Sequence, residues 1–200
     1  MKSIARTVTP RTIIAACTIG LPAIVLLLGM LVAQQTIENN AANHAVFHTS
    51  AVRMRLQRVF SMLQDAETGQ RGYLLTDQEK YLKPYTAASA QVGPEISKLA
   101  DLLRADPAQR ARVERLRIVA SRKMTELGQT IELYRGGNHG AAAVLVSKGD
   151  GFAMMEEARK ITSDILAVQT RERAIQMARS AAGYNRTFWF GGALLSALAL

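Results

Sequence analysis

From Val52 onward the apolar positions advance in alternating steps of four and three: Val52, Leu56, Val59, Leu63, Ala66, Gln70, Tyr73. That spacing keeps one face of an α-helix turned toward a partner, as in a bundle. One member of the stripe, Gln70, is polar. A second stripe runs Val113, Leu116, Ala120, Met124, Leu127, Ile131, Tyr134, and a third runs Phe152, Met155, Ile161, Ile165, Val168, Ile175. Alternation with a period of two, the mark of a half-buried strand, is almost absent. The pattern predicts an all-α chain.

The breaks between stripes carry their own chemistry. Thr76-Asp77-Gln78-Glu79 reads as a capping box, the Thr hydroxyl accepting a free first-turn N–H while Glu79 reaches back to the cap, so a new helix is expected there. Asp106-Pro107 repeats the device, with Gln109 where a capping partner belongs. Arg135-Gly136-Gly137 reads as a helix stop, and Lys148-Gly149-Asp150-Gly151 separates a short Ala-rich helix from the last long one. Four main helices follow, at roughly 34–75, 77–105, 107–135 and 151–186, with Pro84 and Pro94 expected to bend or interrupt the second. Short loops close these into an antiparallel four-helix bundle running up, down, up and down.

The ends of the chain are of another kind. Residues 12–33 form an uncharged run of 22 residues, enough to cross a hydrocarbon core about 30 Å thick at about 1.5 Å per residue. A cleaved signal peptide is the competing reading, but its apolar region is usually only about 7 to 15 residues. Lys2, Arg6 and Arg11 precede the run, while Glu38 and Arg53 are the only charges in the twenty residues after it, which places the N-terminus in the cytoplasm. Near the other end, Phe188, Trp189 and Phe190 open a second apolar run of interfacial character, with a tail docked back on the domain as its alternative. The organisation read from this is a cytoplasmic N-terminus at 1–11, a transmembrane helix at 12–33, a periplasmic or extracellular bundle at 34–186, and the start of a second, incomplete transmembrane helix at 187–200. The chain is expected in the inner (plasma) membrane.

The formal net charge is +9, and 22 of the 25 Lys and Arg residues lie between 34 and 186. On charge alone nucleic acid would be a candidate partner; a loop outside the membrane excludes it. The single Cys, Cys17, falls inside the first apolar run, leaving the loop no thiol for disulfide or metal chemistry. His44 and His48, four apart, could share a metal, yet no third ligand accompanies them, and no cofactor is expected. His139 reads as solvated. The basic run Arg104, Arg110, Arg112, Arg115, Arg117, Arg122, Lys123 reads as a solvated face, with anion binding as its alternative. No nucleophile–base set or phosphate-cradling loop can be assembled, so the chain is not read as an enzyme.

What remains is Glu67-Thr68-Gly69-Gln70-Arg71-Gly72-Tyr73-Leu74. Two glycines inside a helix cost about 1 kcal/mol each, so Gly69 and Gly72 need a reason. Three apart, they open a notch for the close approach of another helix, flanked by a Glu67–Arg71 pair in the favourable order. This segment, with Tyr81-Leu82-Lys83-Pro84-Tyr85, the glycines Gly149 and Gly151 and the stretch Met155–Arg159, resembles the third class of CHASE domains, the sensory extracellular domains associated with cyclases and histidine kinases. Many relatives carry Gly after the turn Thr, where this chain has Asp77.

The resemblance implies a four-helix periplasmic input module, usually a homodimer, feeding a histidine kinase, a diguanylate cyclase or a chemotaxis-type output. Residues 67–73 are then the candidate signalling notch, and the stimulus, small molecule or protein, is unnamed. The helix leaving the first apolar run has no Gly or Pro from Leu31 to Gln64 and reads as a stiff rod, with Gly183 the soft point before the second run. A different class, a stand-alone structural or regulatory membrane protein that pairs with a full receptor, is the alternative.

Overall fold

In a computed structural model of the chain, the backbone is described for residues 10–198 and side chains for most of residues 25–178 together with Thr18, Pro22 and Trp189. Every regular element among the described residues is helical: α1 (Pro10–Thr76), a 3₁₀ turn (Glu79–Leu82), α2 (Lys83–Leu102), α3 (Pro107–Arg135), α4 (His139–Ser147) and α5 (Asp150–Leu198). The contacts divide the chain into two compact units, residues 1–45 with 174–200, and residues 46–173. Among the described residues no helix is long and apolar enough to cross a membrane. The expected spans at 12–33 and 187–200 fall on helical backbone of α1 and α5, but many of their side chains, with residues 199–200 and most of the expected N-terminus at 1–11, lie outside the described residues.

The second unit is a helical bundle, and its contacts fix the direction of each neighbour. Arg55 of α1 meets Glu95 of α2 at 2.8 Å, while His48 Nε2, lower on α1, donates to the Leu102 carbonyl at 2.8 Å. Positions that fall on one helix rise on the other, so the two run antiparallel. Arg115–Glu157 at 2.7 Å and the Gln109 Nε2 bond to the Ile165 carbonyl at 3.5 Å give the same relation for α3 and α5.

Within the bundle one core joins Val52, Leu56, Val59, Leu63 and Ala66 of α1 to Ile96 and Leu99 of α2, Leu116, Ala120 and Leu127 of α3, and Ala158, Ile161 and Ile165 of α5. A second, smaller cluster holds Tyr73, Leu82 and Ile131. Each fully buried Leu or Ile contributes about 1.5–3 kcal/mol relative to exposure. The first stripe is buried from Val52 to Tyr73, as its spacing predicts.

Several boundaries differ from the sequence reading. Thr76 starts no α-helix: α1 ends on it, its hydroxyl donates back to the Gly72 carbonyl at 2.7 Å and accepts from Gln78 N at 3.4 Å, and Asp77 turns into the left-handed region at φ 56°. Glu79 turns instead to Arg135. The next element is the 3₁₀ turn rather than an α-helix from 77. Pro84 lies in the first turn of α2, where a missing N–H costs nothing, and Pro94 sits inside a helix that continues past it. At α3, Asp106 Oδ1 accepts from Ala108 N and Gln109 N at 2.8 and 3.1 Å, as expected. The Gln109 side chain does not reach back; it is buried against α5.

The Gly136-Gly137 stop forms a Schellman motif, with Asn138 N donating to the Leu133 carbonyl, Gly137 N to the Tyr134 carbonyl, and Gly137 at φ 79°. On α5 the buried face passes through Gly151, Met155, Ala158, Ile165 and Gln169. Phe152 and Ile175, placed on the core stripe by sequence, are 68% and 44% exposed.

Candidate signalling notch

The signature occupies the last three turns of α1. Gly69 explains itself by what a methyl group would meet: the Tyr81 carbonyl oxygen and, at 3.4 Å, the Pro84 ring. At Gly72 a Cβ would lie 3.0 Å from the Tyr81 ring. Both glycines therefore admit a close approach, which the 3₁₀ turn and, at Gly69, the first turn of α2 make. Tyr73, next on the buried face, meets Tyr134 edge-on at 5.3 Å between ring centroids, and the Arg135 guanidinium lies 5.9 Å from the Tyr73 centroid.

Arg135 also clamps the turn. Its Nε and Nη2 donate to the two carboxylate oxygens of Glu79 at 2.9 and 2.6 Å, a fork geometry that fixes orientation. The hydrogen bond from Arg135 holds the Glu79 carboxyl below its ordinary value, and the same bond raises Arg135 further. The end of α3 and the turn after α1 are thus tied across the smaller core.

Lys123 is the residue that sequence placed in the wrong environment. Read as part of a solvated basic face, it is 1% exposed. Its Nζ donates to Glu67 Oε1 at 3.3 Å and Glu126 Oε2 at 3.0 Å, and Arg71 Nη2 donates to that same Glu67 oxygen at 2.9 Å. Gly151 of α5 makes room for the ammonium: a Cβ there would stand 2.6 Å from Lys123 Nζ. The Glu67–Arg71 pair is present, with Arg71 exposed and Glu67 mostly covered, and it forms the outer half of a charged layer joining α1 and α3 beside α5. Gln70, one turn on, is 2% exposed, and its Nε2 has no partner among the described residues. Thr68 and Arg71 face solvent.

One feature could have revealed the lysine. Steps of four and three from Leu116 pass through Ala120, Lys123, Leu127 and Thr130, and all five are buried. The rest of the basic run is exposed or half-buried, with Arg115 paired to Glu157 and Arg117 to Glu114. A second ionic cluster escaped sequence reading altogether: Glu95, 5% exposed, receives Lys98 at 2.9 Å and Arg55 at 2.8 Å, with Arg58 at 3.9 Å. Its carboxyl is held below the ordinary value, first by the Lys98 hydrogen bond and then by that of Arg55.

His44 is exposed and His48 is engaged with α2, while His139 is exposed, as expected, and stands edge-on to Tyr134 at 4.1 Å. Among the described residues no three His, Cys, Asp or Glu side chains are grouped to hold a metal ion.

The family model described as the CHASE3 domain matches residues 42–181, and the chain belongs to that family. It accordingly carries an extracellular sensory input domain of a signalling receptor. The sensor domain of the histidine kinase HK9 from Rhodopseudomonas palustris is similar at 25% identity and a TM-score of 0.48, covering 68% of this chain and 98% of that one. No curated protein matches.

Proposed function

We propose that the chain is the membrane-anchored input portion of a bacterial sensor histidine kinase, with residues 12–33 and 187–200 in the inner membrane, the N-terminus in the cytoplasm and the bundle in the periplasm. The apolar, uncharged character of residues 12–33 and the basic residues before them support this placement. The stimulus acts by shifting one bundle packing toward another, and α1 carries the shift toward the membrane as a helix without Gly or Pro from Leu31 to Gln64.

The observation that carries this reading is the charged layer at the signature. Glu67 on α1 shares its oxygen between Arg71 and the buried Lys123 of α3. Burial makes such a layer sensitive to register, so a small sliding of α1 exchanges one set of partners for another. Two copies are expected to pair along α1, where Phe47 and Met54, seven apart, stand 73% and 65% exposed.

Inserting Gly-Gly after Gln34 of the complete receptor tests the mechanism. Stimulus-dependent autophosphorylation should be lost while the bundle still unfolds at its normal temperature. Unchanged signalling would rule out rigid transmission along α1.

A further inference from the structure

Away from the signature, α1 and α5 face each other across a groove of about 330 Å³ lined by Arg53, Gln57, Phe60, Arg159, Thr162 and Leu166. Its floor is apolar, since Phe60 and Leu166 pack against the main core. The rim is cationic, and none of the six lining residues is acidic. Arg159 lies over the Phe60 ring at 5.4 Å and pairs with Glu156 at 2.6 Å. Arg53 is exposed and makes no ion pair among the described residues. The groove therefore offers one unengaged guanidinium, one held against an aromatic face, and two neutral hydrogen-bonding side chains above an apolar floor.

This chemistry selects its ligand. A phosphate or sulfate gains most from several charged donors and nothing from the apolar floor, and a neutral apolar molecule leaves the cationic rim unanswered. A single carboxylate on a compact apolar body answers both: the carboxylate takes the fork of Arg53, and the body covers Phe60 and Leu166. The volume lies at the small end of the range for ligand sites. We propose that this groove binds an organic monocarboxylate with a flat or branched apolar group. Such binding does not depend on which output the receptor drives.

Calorimetric titration of the full chain in nonionic detergent with phenylacetate, and with phenylacetamide as its uncharged counterpart, tests the site. Phenylacetate is expected to bind saturably, and the amide about tenfold or more weakly, as loss of a charged hydrogen bond requires. Arg53→Gln should remove the preference for the acid, whereas Lys160→Gln, an exposed neighbour outside the groove, should keep it. Equal binding of acid and amide, undiminished acid binding by Arg53→Gln, or absence of saturable binding would each overturn the proposal. So would a dimer that Phe60→Ala converts to monomer in a chain that does not bind the acid, because the groove would then belong to a second copy.

Discussion

Asp77 and Gly69 show how much of the turn rests on single backbone positions. Asp77 adopts φ 56° with a side chain, a conformation in which only Gly is free of steric penalty. The geometry gives the reason for that backbone: the chain must reverse sharply between α1 and the 3₁₀ turn. Asp77→Gly should raise stability by about 0.5–1 kcal/mol, read as a higher urea midpoint at unchanged slope. A lower midpoint would mean that the aspartate carboxylate contributes more than its backbone costs. Gly69 is the opposite case. Helix propensity favours Ala at an ordinary helical glycine by about 1 kcal/mol, yet the added methyl would strike the Tyr81 carbonyl. Gly69→Ala is expected to lose about 1–3 kcal/mol. Gly93→Ala, where nothing lies within 4 Å, should lose nothing.

Among the elements, the tie between α1 and α2 at Glu95 has a pH signature. In the folded chain Lys98 and Arg55 hold this carboxyl below its ordinary value, so as pH falls the unfolded chain takes up the proton first. The stabilisation is complete above the unfolded value of about 4.3 and is lost as pH drops through the lower folded value. Glu95→Gln should cost about 1–2 kcal/mol near neutrality. Urea titrations should show that gap constant from pH 7 to 5 and closing below the ordinary carboxylate range; a gap unchanged at pH 3 would remove the charge from the explanation. The helices themselves were legible in sequence because a period of 3.6 writes itself over many residues, and the bounds of α3 follow from the Asp106-Pro107 start and the Gly136-Gly137 stop. The 3₁₀ turn was not legible, because Thr76-Asp77-Gln78-Glu79 has the composition of a capping box and only Arg135, 56 residues further on, decides where Glu79 points. Lys123 was missed for a related reason: its burial depends on Glu67 and Gly151, each on another helix.

At the scale of the whole molecule, the charged layer sets stability against specificity. A buried ion cluster replaced entirely by apolar groups of similar size is often neutral or stabilising, by about 1–4 kcal/mol, whereas removing one partner costs about 3–5 kcal/mol because the others are left uncompensated. Lys123→Met leaves Glu67 and Glu126 facing the interior, with only Arg71 to balance the first. It should lose about 3 kcal/mol, at the lower end because both carboxylates keep some solvent contact. The triple change Glu67→Leu, Lys123→Met, Glu126→Leu should recover that loss and unfold at or above the parental urea midpoint. If the layer serves only packing, a complete receptor carrying the triple change signals normally. If it sets the register between two bundle packings, the stabilised receptor folds yet no longer responds to stimulus, its kinase output fixed at one level. Unfolding midpoint and stimulus-dependent autophosphorylation, measured on the same variant, separate the two: a stable and responsive triple variant would remove the layer from the signalling mechanism, and a stable, locked one would place the switch at the signature.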